Sequence, residues 1–207
     1  MINILLESVF DIDAPWMSNE LKNYIKPCHS VAVVAFSFRD NRVKCLSDWD
    51  SLYGKEQGSF YHGIVDRFTS YGIQEENVSF INYFADTKES ATQKVKTSDI
   101  IYFLGGLPDK MLDRIAEFDL YDTLMQHEGI IMGDSAGQLF NLQNTIWHLT
   151  GIIPCSIIIK AFHILMISIY KFTTRILLYK TKQFNVFLLN EVKEYMPPHL
   201  KRCDTCR

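Results

Sequence analysis

A serine between two glycines is the residue of this chain best suited to chemistry. Gly133-Asp134-Ser135-Ala136-Gly137 follows the apolar run 129–132 (Gly-Ile-Ile-Met) and precedes Gln138-Leu139-Phe140-Asn141-Leu142, a stretch of helical character. G-x-S-x-G between a buried strand and a helix is the nucleophile-elbow pattern: the turn is so sharp that its flanks tolerate only small side chains, and the hydroxyl stands above the sheet. Ser135 is therefore the candidate nucleophile, and the chemistry is acyl transfer. That chemistry needs N–H donors aimed at the developing oxyanion. Ala136, the residue after the nucleophile, supplies one. Gly106, in the pair Gly105-Gly106 after the apolar run 100–104, is the candidate for the second, because bare backbone can approach a substrate carbonyl. The same pair also fits a plain strand-to-helix turn that needs a positive φ. A dinucleotide site is disfavoured, since no G-x-G-x-x-G occurs. Nothing in this chemistry calls for a metal or a cofactor.

Strands must carry these turns. Runs 2–6, 31–36, 78–84, 100–104 and 129–132 are short, apolar and rich in β-branched and aromatic residues, several of them nearly continuous, as strands covered on both faces require. Stretches 60–71, 87–96 and 109–126 between them have helical character, with Pro108 and Asp109 suited to a first helical turn. The Asp-, Ser- and Gly-containing stretch 37–58 reads as a surface excursion. Strand-helix alternation of this kind predicts an α/β fold, a three-layer sandwich with a mostly parallel central sheet. Ligands of such sheets sit beyond the carboxyl ends of the strands, where both glycine turns lie.

The combination Tyr102-Phe103-Leu104-Gly105-Gly106, a helix, then Gly129-Ile130-Ile131-Met132-Gly133-Asp134-Ser135-Ala136-Gly137 resembles the peptidase E (aspartyl dipeptidase) and cyanophycinase family of serine peptidases. The resemblance covers about residues 1–150 and is strongest over 100–140. It implies a class I glutamine amidotransferase-like fold with serine in place of the cysteine nucleophile, Ser135 as nucleophile, Gly106 and Ala136 as oxyanion donors, and a small peptide as substrate. Two departures stand out: the family often continues Gly-Gly with Asn-Thr, where this chain has Leu107-Pro108, and often has alanine where Gln138 stands.

A serine nucleophile needs a general base. The family supplies a histidine downstream, in a segment resembling Gly-Leu-x-x-x-x-x-Phe-Asp-Ile-x-Val-His-Tyr, and the downstream histidines here, His148, His163 and His199, are not in that context. Read one nucleotide out of register, however, Met166-Ile167 forces aspartate, Lys171-Phe172 permits only valine or isoleucine, and Phe172-Thr173 permits only histidine or tyrosine. Over 160–174 the shifted frame allows Gly-Leu-Ser-Tyr-Ile-Asn-Asp-Phe-Asp-Ile-Gln-Val-His-Tyr. Composition changes nearby. Residues 1–150 hold 12 basic and 21 acidic residues, a balance of −9; residues 151–207 hold 9 basic and 3 acidic, a balance of +6, and no glycine follows Gly151. The expected organisation is a peptidase E-like domain over 1–150 and a frameshifted tail over 151–207 that lacks the catalytic histidine. Two other function classes stay open: a catalytically inactive product of a peptidase gene, and a glutamine amidotransferase-like binding domain in which Ser135 is structural.

Composition excludes other classes. A net charge of −3 over 207 residues gives no basic surplus for nucleic acid or anionic membrane. The start Met1–Glu7 has no basic n-region, so it does not read as a secretory signal, and the cytoplasm is the expected compartment. The apolar stretch 152–170 is interrupted by Pro154, Lys160 and His163, which argues against a span. Five irregularly spaced cysteines, including the lone pair Cys203 and Cys206, suggest neither a disulfide framework nor a zinc site. Loss of the family's last strands would leave an apolar sheet edge, so the protein partner expected is another copy, in a homo-oligomer.

Overall fold

Val31-Ala32-Val33-Val34 shows in four residues how the fold is built, for all four are buried and successive side chains enter opposite cores. The computed structural model describes residues 2–138 and the backbone of Leu178–Tyr179. Its strands are β1 (Ile2–Leu6), β2 (Val31–Val34), β3 (Val78–Ile81), β4 (Ile100–Phe103), β5 (Ile130–Asp134) and β6 (Leu178–Tyr179). Its helices are α1 (Pro15–Leu21), α2 (Leu46–Tyr53), α3 (Tyr61–Thr69), α4 (Lys88–Thr97), α5 (Pro108–Glu117) and α6 (Tyr121–Met125). The sheet order is β3-β2-β4-β5-β1-β6; the first five strands are mutually parallel, and β6 pairs antiparallel with β1.

Each face of the sheet has its own core. Val31, Val33, Ile100, Tyr102, Ile130 and Met132 pack with residues of α1, α2 and α3. Ala32, Val34, Ile101, Phe103 and Ile131 pack with residues of α4, α5 and α6. This is the three-layer α/β sandwich that the apolar runs predict, and continuous apolar strands are what two covered faces demand. Each fully buried branched or aromatic side chain contributes about 1.5–3 kcal/mol relative to exposure.

Local chemistry sets the element ends. Thr87 and Ser90 exchange side-chain and backbone bonds in a capping box at the start of α4. Pro108 opens α5, where its missing N–H costs nothing. The helical stretch 109–126 is two helices: buried Phe118 and Leu120 flank Asp119, whose φ of 53 is a left-handed turn that aspartate tolerates. The surface excursion over 37–58 is corrected in part, for α2 lies inside it and buries Trp49 and Tyr53, four residues apart on one helix face. No described helix is long and apolar enough to cross a membrane. The stretch 152–170, the Cys203–Cys206 pair and the composition boundary at Gly151 lie outside the described residues.

The connection after β2 runs to α2 and α3 on one face, and the connection after the adjacent β4 runs to α5 on the other. Adjacent strands whose connections part in this way leave a crevice at their carboxyl ends. Phe36-Ser37-Phe38, Gly105-Gly106 and, one strand farther, Gly133–Gly137 emerge there.

Candidate active site

Ser135 is exposed and has φ 48, in the turn between β5 and the residues that begin the next helix. A non-glycine residue in that region costs on the order of 1–3 kcal/mol and persists only where its surroundings hold it. The surroundings do so. Ser135 N–H donates to Leu6 O at 3.1 Å, and Ser135 O accepts from Gln138 N at 3.2 Å. Gln138 Nε2 also donates to Leu6 O, so this glutamine fastens the turn to β1.

The glycines around it are required by space. A Cβ on Gly133 would run into the backbone of Gly137, and one on Gly137 into the backbone of Phe103, 2.9 Å from its carbonyl carbon. The Phe103 backbone cannot yield without moving β4. Gly137→Ala is expected to destabilise the protein by about 3 kcal/mol, the upper range for overpacking. Denaturant unfolding checks this, and a loss below about 1 kcal/mol would contradict the packing described.

Gly105 and Gly106 sit close by. A Cβ on Gly105 would lie 3.2 Å from Ser135 Cβ and 2.6 Å from Asp134 Oδ2. Gly106 has φ 146, a region essentially reserved for glycine, and a Cβ there would press on Ser37. Leu107 N–H donates to Ser37 O at 2.8 Å, and the Ser37 hydroxyl lies 2.8 Å from Leu104 O and 2.6 Å from Gly105 O. Gly105 N–H donates to Asp134 Oδ1 at 3.0 Å. Among the described residues no hydrogen bond takes the N–H of Gly106 or Ala136. Ser135, Gly106 and Ala136 thus belong to two neighbouring turns at one end of the sheet.

Asp134, between the two turns, carries a carboxyl at this end. Tyr102 Oη donates to Asp134 Oδ1 at 2.7 Å. Burial pushes the Asp134 carboxyl above the ordinary aspartate range, against the lowering effect of the bonds from Tyr102 and Gly105. Burial, and then the Asp134 charge, raise Tyr102 well above the usual phenol value and push Tyr53 up to about 12. Both tyrosines are therefore neutral at physiological pH, and Tyr102 is the one that donates to Asp134.

Arg114 holds the next loop. Only 4% exposed, it donates from Nη1 to Phe36 O and, at 3.0 Å, to Phe38 O; Nη2 pairs with Asp40, and the guanidinium lies 3.7 Å over the Phe38 ring. The carbonyls it binds flank Ser37, so the arginine fixes the residue that fixes the glycine turn. Asp40, exposed, is held below its ordinary range mainly by its bond to Lys110.

No described histidine approaches Ser135. His127 precedes Gly129, at the amino end of β5, whereas Ser135 follows the carboxyl end. Five residues of strand put about 16 Å between the two ends. Burial lowers the His127 pKa, and its Nε2 has no partner among the described residues. His29 precedes Ser30, whose carbonyl meets Ile100 N–H at the amino end of β4. His62 is exposed on α3, edge-on to Tyr61. His148, His163 and His199 lie outside the described residues.

The sequence reading assigned no role to Tyr102, Asp134, Ser37 or Arg114. Two of them carry a signal: Tyr102 is a polar group inside an apolar strand, and Arg114 takes a place on the buried face of α5 beside Met111 and Ile115.

No protein-family model and no curated protein matches the chain. Among solved structures it is similar to a 1.5 Å crystal structure described as a "Putative Peptidase E Protein from Listeria monocytogenes EGD-e", at 16% identity and a TM-score of 0.48. The match covers 67% of this chain and spans 60% of that protein.

Proposed function

We propose that this α/β domain is the scaffold of a serine-type peptidase of the peptidase E kind, with Ser135 attacking a peptide bond of a small peptide. The observation that carries the reading is the conformation of Ser135: exposed, at φ 48, between glycines that admit no side chain. The resemblance over residues 100–140 supports the choice of peptidase kind. In the first step Ser135 Oγ bonds to the carbonyl carbon while its proton passes to a general base. The carbonyl oxygen becomes an oxyanion, met by the N–H groups of Gly106 and Ala136. The C–N bond then breaks as that proton passes to the departing amine. Water attacks the acyl-serine, releases the acid and restores the hydroxyl.

One observation favours a second reading, a catalytically inert product of a peptidase gene. No described histidine is placed to serve as the base, and the family's Val-His-Tyr segment is legible only in the shifted frame of 160–174. A fluorophosphonate probe separates the two on the full-length chain. An activated serine forms an Oγ–P bond with loss of fluoride, so labelling is expected, and Ser135→Ala is expected to abolish it. A folded chain that takes no label overturns the active reading, whereas labelling that survives the substitution removes Ser135 from the site.

A further inference from the structure

The turn Leu104-Gly105-Gly106-Leu107 has four consecutive N–H groups after the strand, and three are spent, the first of them on Val34 O. Gly105 N–H goes to Asp134 and Leu107 N–H to Ser37 O, while the one between them, on Gly106, takes no bond among the described residues. We propose that Asp134 is a positioning residue: its carboxylate, anchored by Tyr102, pins the Gly105 amide and leaves Gly106 N–H as the free donor of the turn beside Ser135. The proposal rests on the reading of Ser135 as nucleophile.

A carboxylate is a costly way to hold one amide in a half-buried place. A neutral asparagine offers the same Oδ1 to both Tyr102 and Gly105, without a charge to desolvate. The charged acceptor has one advantage, a stronger and shorter hold on its donors. The groups that face Asp134 are Tyr102 from β4, Tyr53 from α2 and Asp11 from the 3-10 turn after β1. Both tyrosines stay neutral, and Asp11 repels the charge. Asp134 is therefore the group of this cluster whose ionisation is displaced upward from the ordinary aspartate range.

The linkage has a definite sign. A carboxyl whose pKa is raised on folding contributes stability that is present in acid and lost as pH rises through the folded value. Asp134→Asn is thus expected to melt no lower than the parent near neutral pH, with any advantage shrinking in acid. A residue kept for stability alone would show the reverse.

The test follows the backbone amides of Gly105 and Gly106 by NMR in the full-length chain, from about pH 4 to 8, across the range where a raised aspartate titrates. Both resonances are expected to move on one curve, with a midpoint above the usual aspartate value. The curve is expected to vanish in Asp134→Asn and to shift upward in Tyr102→Phe, which loses a bond favouring the charged form. Fluorophosphonate labelling is expected to slow about tenfold in Asp134→Asn, short of the 10²–10³ lost with a whole oxyanion donor. Gly106 resonances that ignore both substitutions, or labelling of Asp134→Asn at the parent rate, would overturn the proposal. If the parent takes no label at any pH while both amides titrate, the nucleophile reading fails and the brace stands. Should Asp134→Asn not fold, the midpoint in Tyr102→Phe decides.

Discussion

On the inert reading, inserting one nucleotide into the coding sequence at the seam by Gly151 is expected to raise peptidase turnover on the order of 10⁶-fold, the scale of loss when a triad histidine is removed. The insertion makes each downstream codon from the last base of one present codon and the first two of the next. Phe172-Thr173 then encodes histidine or tyrosine, and the sequence over 160–174 can read Gly-Leu-Ser-Tyr-Ile-Asn-Asp-Phe-Asp-Ile-Gln-Val-His-Tyr. The two turns that carry Ser135, Gly106 and Ala136 lie upstream of the seam and are unaltered by the insertion. The shifted frame rewrites the histidine segment and, with it, β6 against β1. Hydrolysis of small peptides by the present and the shifted chain, compared at equal concentration of folded protein, measures the gain. Equal rates would refute the frame reading, and a gain that persists with Ser135→Ala would trace the activity to another site.

Replacing Arg114 by methionine is expected to cost about 3–5 kcal/mol of stability. Methionine follows the same path through the core but leaves the carbonyls of Phe36 and Phe38 without their donor, at about 1–3 kcal/mol for each buried acceptor. The contact over the Phe38 ring is also lost, worth up to about 2 kcal/mol where the cation is desolvated. The pair with exposed Asp40 adds little. For a chain of this size the melting temperature should fall by roughly 10 °C. A fall of less than about 3 °C would mean that the loop 36–40 holds itself. In the surviving folded fraction, Ser37 loses its fixed backbone, so labelling of Ser135 should fall as well.

The five parallel strands were legible because each is an apolar run with a polar or glycine boundary, and burial on both faces writes itself into a short stretch of sequence. The Ser135 turn was legible for a similar reason: its geometry is local, and glycines at 133 and 137 report the crowding directly. The rest of the site depends on distant partners. Arg114 lies 78 residues from Phe36, and Ser37 lies 67 from Leu104, so no window of the sequence contains both members of either pair. The helix α2 was hidden by its polar neighbours, although Trp49 and Tyr53, four apart, carried its buried face. The break between α5 and α6 turns on the single residue Asp119, which has no signature outside its packing.

Strand β1 completes the parallel part of the sheet from the far end of the chain. It lies against β5, whose residues are about 130 positions later, whereas β2, β3 and β4 pair with partners far nearer in sequence. Contacts between residues so widely separated form late, because the loop they close must be ordered before they stabilise anything. During synthesis, then, β2, β3 and β4 can assemble while β1 waits, unpaired, for β5 to emerge. The Ser135 turn is anchored to Leu6 at the end of that waiting strand. That anchor for the serine's left-handed turn forms when β1 meets β5, so the half-made protein lacks it.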